Sequence, residues 1–307
     1  MTLLRKRDKI VKNTPKGVRE MNAKICQYKN NARGAFSFVF DDGCYGESTE
    51  WTYDIFKSIF ERTGIKFKAT SAQTVSFISP NMKKLWDKLF DEGYYDLCAH
   101  SITHCIGYNK DTPPEELHRD AKETQDALEK MYGIKPLTYV TPGGGSDSFG
   151  WDILKGYYIA NRNGNDRINI PGKIDWFDIG TYTAMLKRST EEYIENIDQT
   201  IENGGWSVQI NHWITKKEED KFHSQSYETF VNECDYLAKK AAAGDIWVCS
   251  MNECVLYLQE AEKSTLEING NRVTLLCPLD KDIYNYPLTV DIDGKLYEIK
   301  PNETITV

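Results

Sequence analysis

The feature that most constrains this chain is an alternation. Short apolar runs end in polar residues or glycine, and each is followed by a stretch with helical spacing. "GAFSFVFDDG", at 34–43, is the first such run. It reads as a buried strand with two acids at its tip. "STEWTYDIFKSIFERTG" follows, with Trp51, Ile55, Phe56, Ile59 and Phe60 at helical spacing and Gly64 as the stop signal. Further strands are predicted in "IKFKAT", "YYDLCAH", "PLTYVTPGGG", "GYYIANRNG", "WSVQINHWI" and "DIWVCS". Helices are predicted in "SPNMKKLWDKLFDEG" with Ser79 as cap, and in "PPEELHRDAKETQDALEKMYG" between its prolines and Gly133. "STEEYIENIDQTIENGG" has capping-box spacing at Ser189 and Glu192, and "SYETFVNECDYLAKKAAAG" and "MNECVLYLQEAEK" complete the helices. Strand-helix alternation of this kind predicts an α/β chain built on a parallel sheet or barrel. From about residue 265 the period changes to two, and Asn-Gly and Asp-Gly mark turns. The expected organisation is a (β/α) unit over 1–263 and a small all-β appendage over 264–307.

A chain of 307 residues buries roughly three quarters of the surface its unfolded form exposes. It needs no disulfide or metal for bulk stability, so a metal site in it is expected to be functional. The net charge of -8 and pI near 5.3 exclude the basic face of a nucleic-acid binder and electrostatic docking on anionic lipid. No apolar run is long enough for a membrane span. The N-terminal "MTLLRKRDKIVKNTPKG" has basic residues but no apolar stretch behind them. It predicts a cytoplasmic chain, or a secreted one if a signal has been removed. The eight cysteines contain no C-x-x-C pair and are expected to be buried thiols, Cys98 and Cys105 beside the histidines included. The aromatic share of 12% suits core filling first and sugar stacking second.

Two segments carry chemistry. Asp41 and Asp42 stand side by side at a strand tip, and such carboxylates repel unless a cation compensates. Where the chain turns at Gly43, one acid can reach a divalent ion and the other the water beside it. His100 and His104, in "HSITH", fall on one face if the segment after His100 is helical, about 5–6 Å apart at Cβ. The pair plus one acid makes a set of three protein ligands with open positions for water, which is the arrangement of a catalytic metal site.

At these residues the chain resembles the polysaccharide deacetylases of carbohydrate esterase family 4. "VFDDG" is similar to the family's first motif and "HSITH" to its second. "TPGGG" and "INH" follow in order as the proline-glycine and late histidine motifs, and the resemblance spans roughly residues 35 to 260. It implies a distorted (β/α) barrel. It also implies Asp41 as general base, Asp42, His100 and His104 as metal ligands, His212 as general acid, and the Gly143 N–H as oxyanion donor. Zn²⁺ is the expected ion, with Co²⁺ or Ni²⁺ as alternatives, and an acetylated oligo- or polysaccharide the expected substrate, N- or O-linked.

Two departures stand out. The family's third motif places an arginine two residues before the proline, where this chain has Val140; Arg162, in the next predicted strand, is the candidate replacement. The fourth motif is blurred in "KIDWFDIG", which offers Asp175 or Asp178 to orient His212. His118 and His223 are expected to be solvated and structural, respectively. Two other functions fit the same residues. One is a metal-dependent hydrolase of a small non-sugar amide, and the other a catalytically weak carbohydrate-binding relative. The intact Asp41 speaks against pure binding, which needs no base.

Overall fold

The first predicted strand forms at Gly34–Phe40, and every residue in it is buried. Phe38 packs on Phe56 and Phe230, from the flanking helices Glu47–Thr63 and Tyr227–Ala242, with ring centroids 5.7 and 5.3 Å away. Side chains alternate along a strand, so Ser37, Val39 and Asp41 face the opposite way. There Ser37 Oγ accepts the Trp206 Nε1–H at 3.0 Å. Burial on both faces is what a parallel strand under a helical layer requires.

The structure is a computed structural model that describes residues 11–12, 21–43, 46–217 and 224–307. The sequence expectations for the N-terminal segment, Cys44 and His223 lie outside the described residues. The chain divides into two units, Gly34–Cys254 and, separately, the residues up to Arg33 with Val255–Val307.

In the larger unit, seven parallel strands pair in chain order: Gly34–Phe40, Ala69–Gln73, Tyr95–Ala99, Thr138–Val140, Ala160–Asp166, Ile179–Thr183 and Trp206–Asn211. The last pairs back onto the first from Ala35 to Phe40, which closes the barrel. Ile246–Val248 adds a further parallel strand along Gly34–Phe36, leaving Val39 and Phe40 to pair with Thr70 and Ser71. This is the distorted (β/α) barrel that the resemblance implies.

The helices begin and end where the sequence signals them. Ser79 accepts the Met82 N–H at 3.3 Å, and the Ser189–Glu192 capping box forms in full. Gly64 and Gly133 close their helices in the left-handed conformation, which glycine adopts without steric cost.

Among the elements that were not expected are a strand and a helix of the larger unit. Strand Ile179–Thr183 reads "IGTYT", which contains no apolar run, yet Thr181 is buried between its neighbours. Helix Ser148–Leu154 is too short to show a period and is held by Asp147, whose carboxylate accepts the Phe149 and Gly150 N–H groups at 3.0 and 3.3 Å.

The smaller unit holds most of helix Met251–Lys263 and two β-sheets. One sheet orders the strands Val11–Lys12, Thr265–Asn269, Arg272–Leu276 and Thr304–Thr306, and a second orders Lys295–Ile299, Leu288–Ile292 and Ala23–Ile25. The predicted Asp-Gly turn joins Ile292 to Lys295, with Asp293 at φ 49° and Gly294 at φ 87°. Two positive φ angles are what a two-residue type I′ hairpin needs. Among the described residues, no helix is long and apolar enough to cross a membrane.

Candidate active site

The candidate residues converge at the carboxyl ends of the barrel strands, where parallel α/β folds build their sites. Asp41 and Asp42 follow Phe40, His100 follows Ala99, and His212 follows Asn211. Asp41 prolongs the ladder, donating its N–H to the Asn211 carbonyl at 2.9 Å. Asp42 then breaks from the strand with φ 72°, followed by Gly43 at φ 69°. A non-glycine residue in this region is uncommon and stores strain of about 1–3 kcal/mol. The turn sends the two adjacent acids in different directions.

Asp42 Oδ1 lies 3.7 Å from His100 Nε2 and 3.5 Å from His104 Nε2. The three ligand atoms all lie within 4.8 Å of one another. Nitrogen and oxygen ligands at about 2.0–2.2 Å from a tetrahedral ion stand roughly 3.4 Å apart, so the set fits a divalent metal. Two further observations agree. Among the described residues, Asp42 Oδ1 and His100 Nε2 are buried without a hydrogen-bond partner. His100 Nδ1–H donates to the Val140 carbonyl at 2.7 Å, which leaves the lone pair on Nε2 and aims it at the cluster. Burial lowers the His100 pKa to about 4 against the opposing pull of Asp41, so the imidazole is neutral and free to ligate at pH 7.

The segment between the histidines is not helical, in contrast to the condition set by their spacing. It is a turn with Ser101 at φ 72° and His104 at φ 62°, and it brings the two rings to 4.8 Å between centroids. The hydroxyl of Ser101 accepts the Thr103 and His104 N–H groups at 3.4 and 3.3 Å, and a short polar side chain of this kind substitutes for a helical turn.

Asp41 sits on the other side of the tip, buried against Arg162. The Arg162 Nη2–H donates to Asp41 Oδ2 at 2.5 Å, and the two side chains are only 1% and 7% exposed. Burial alone would raise the Asp41 pKa. Arg162, with His100 and His212, outweighs it and holds the carboxyl below its ordinary value. Asp41 Oδ1 is buried and has no hydrogen-bond partner among the described residues. Arg162 is the cross-strand partner of Val140, so its guanidinium starts from the position beside the one where the family's arginine is expected.

Gly143 has φ 66° and ψ 4°, and a Cβ built on it would meet nothing within 4 Å. Backbone conformation, not crowding, calls for glycine there. Asp175 Oδ1 accepts the Phe177 N–H, and Asp178 binds Asn163, Asn165 and Arg167 at 2.8–3.1 Å. His118 is exposed, as expected, with Nδ1 3.1 Å from the Tyr157 hydroxyl, while Trp213 beside His212 is half-buried. Cys98 is buried, but Cys105 is exposed, contrary to the packing expected of it.

Sequence reasoning missed one residue that touches this region. Asp120, on helix Pro114–Tyr132, reaches the turn between the two histidines. Its signal was faint: an acid on the predicted inner face of an amphipathic helix, where an apolar side chain belongs.

Residues 28–157 match the sequence profile described as polysaccharide deacetylase. No curated protein matches the chain. Among solved structures, a protein of the polysaccharide deacetylase type from Mycobacterium smegmatis superposes with a TM-score of 0.54 at 12% identity, covering 78% of this chain and 94% of its own. A family 4 acetyl xylan esterase from Clostridium thermocellum, in complex with a cobalt ion, gives 0.49 at 13% identity, covering 72% and 89%. A peptidoglycan deacetylase from Bacillus subtilis gives 0.45 at 18% identity, covering 75% and 92%. The first of these likenesses carries the fold. The matched segment, under half of the chain, holds the first two motifs and the whole Asp42–His100–His104 cluster.

Proposed function

We propose that this chain is a metal-dependent hydrolase that removes N- or O-linked acetyl groups from a carbohydrate. The observation that carries the proposal is the division of labour between two adjacent acids. Asp42 closes a metal-spaced cluster with two histidines, while Asp41 is held ionised by a buried arginine and keeps one oxygen unpartnered.

Asp42, His100 and His104 are the residues to hold the ion, with Zn²⁺ the expected occupant and Co²⁺ or Ni²⁺ able to take its place. When bound, such an ion polarises the acetyl carbonyl and lowers the pKa of water towards about 7. Asp41 takes the proton of the attacking water through its free oxygen. Arg162 fixes the carboxylate and keeps it charged. The Gly143 N–H donates to the developing oxyanion, and a donor in that role is typically worth about 10²–10³ in rate. His212, beside Asp41, protonates the departing amine or alkoxide, a step typically worth about 10²–10⁴ because both are poor leaving groups. Arg162 also answers the departure at Val140, by bringing a guanidinium to the base.

The test is acetate release from acetylated chito- and xylo-oligosaccharides by protein stripped of metal and then reloaded with Zn²⁺ or Co²⁺. Release that depends on the metal supports the proposal and ranks the two sugars. Hydrolysis of a small acetamide without release from either glycan would replace it with the small-amide function.

A further inference from the structure

The turn between the two histidine ligands is held by a buried carboxylate, together with the Val75 and Ser76 N–H groups, which donate to the Ser101 and Ile102 carbonyls at 3.2 and 2.9 Å. Asp120 is 8% exposed. Its Oδ1 accepts the Ser101 hydroxyl at 2.9 Å and the Ile102 N–H at 3.1 Å. Its Oδ2 accepts the hydroxyls of Tyr108 at 2.9 Å and Tyr139 at 3.1 Å. One side of the carboxylate is thus anchored in the core between helix and barrel, and the other side is given to the turn. A buried network is effective when each oxygen is satisfied.

Attachment to the turn matters because of what it constrains. Ser101 and His104 both adopt positive φ, which non-glycine side chains disfavour. The Ser101 hydroxyl passes the constraint on by accepting the His104 N–H at 3.3 Å. A chain of contacts therefore runs from Asp120 through Ser101 to the backbone of a ligand. The other ligand, His100, is fixed separately by the Val140 carbonyl.

We infer that Asp120 is a positioning residue of the metal centre, holding the Ser101–His104 turn so that His104 Nε2 stays at ligand distance from Asp42 and His100. The inference rests on the proposal that these three residues bind a divalent ion. It does not assign Asp120 any contact with substrate or metal.

The experiment titrates Co²⁺ into the metal-stripped full chain, following visible absorption and heat of binding, and records thermal unfolding without metal. Asp120→Asn cannot accept four donors, and Ser101→Ala cuts the relay while leaving Asp120 and its tyrosines in the core. Each is expected to weaken Co²⁺ binding about 10–100-fold, the usual effect of losing a group that orients a ligand. The double variant should cost less than the two losses combined, because both act on one relay. Tyr236→Phe, whose hydroxyl bonds Asp198 between helices Tyr227–Ala242 and Thr190–Glu202, serves as the control. Wild-type affinity in Ser101→Ala overturns the inference, whether or not Asp120→Asn folds. Unchanged affinity in Asp120→Asn with lowered metal-free stability makes the carboxylate a packing device and overturns it equally. Failure of the wild-type chain to bind Co²⁺ would overturn the metal proposal itself, and this inference with it.

Discussion

Arg162→Met is the substitution whose consequences follow most directly from the geometry. It keeps an unbranched apolar stem and removes the charge that lies 2.5 Å from Asp41. Both partners are buried, so solvent does not take over the role. Leaving one member of a buried pair charged and alone costs about 3–5 kcal/mol. Asp41 can escape by binding a proton, since burial is the largest influence on it and acts to raise its pKa. Each unit of upward shift costs about 1.4 kcal/mol of ionised base, or a factor of about ten in active enzyme at a pH below the new value. Turnover at pH 7 should fall about 10²–10⁴-fold, the range for loss of a working base, with the metal retained. The acidic limb of the pH–rate profile should move up, because the substitution removes what held the base ionised at low pH. Arg162→Lys should recover only part, as a point charge without the planar fork. Val140 is the cross-strand partner of Arg162, and paired residues on parallel strands share a face. Val140→Arg combined with Arg162→Val should therefore restore more turnover than Arg162→Val alone. The assay is acetate release between pH 5 and 9 on metal-loaded protein, with metal content measured on the same samples. Wild-type turnover and an unmoved acidic limb in Arg162→Met would refute the role given to the arginine.

Other regions give further expectations. Glu233 is fully buried, and burial raises its carboxyl to about 8 despite hydrogen bonds from Gln225 and Gln209. Its folded value lies above the unfolded one, so its contribution to stability is present below about pH 4.3 and lost as pH rises towards 8. Urea unfolding should show stability falling with pH in that window in the wild type, with a shallower fall in Glu233→Gln; equal slopes would contradict this. Gly294, at φ 87° in its hairpin, should cost about 1–2 kcal/mol on substitution by alanine, with acetate release unchanged. Phe38→Ala should cost about 3–5 kcal/mol in the same unfolding assay, since Phe38 is wholly buried against Phe56 and Phe230.

The barrel was legible because its strands are buried on both faces and therefore read as apolar runs, Gly34–Phe40 above all. Strand Ile179–Thr183 escaped because it satisfies burial with threonines and a glycine, which carry no periodic signal. The metal cluster was legible because its residue types are rare and ordered, even though the spacing of His100 and His104 suggested a helix. The structure reaches the same proximity through a turn that only the Ser101 and Asp120 side chains could have announced. Arg162 could be nominated from charge alone. That it faces Asp41 depends on the register between Thr138–Val140 and Ala160–Asp166, which no local pattern encodes. Asp120 stayed hidden because its partners come from three separate stretches of chain.

The central claim is that two neighbouring acids do different work, Asp42 holding the ion and Asp41 moving the proton. The most direct measurement is metal content and acetate release, side by side, for Asp41→Asn and Asp42→Asn after loading with Zn²⁺. The expected result is one ion per chain with turnover abolished in Asp41→Asn, and loss of both ion and turnover in Asp42→Asn. An Asp41→Asn protein that cannot hold the ion, or an Asp42→Asn protein that holds it as tightly as the wild type, would contradict the account.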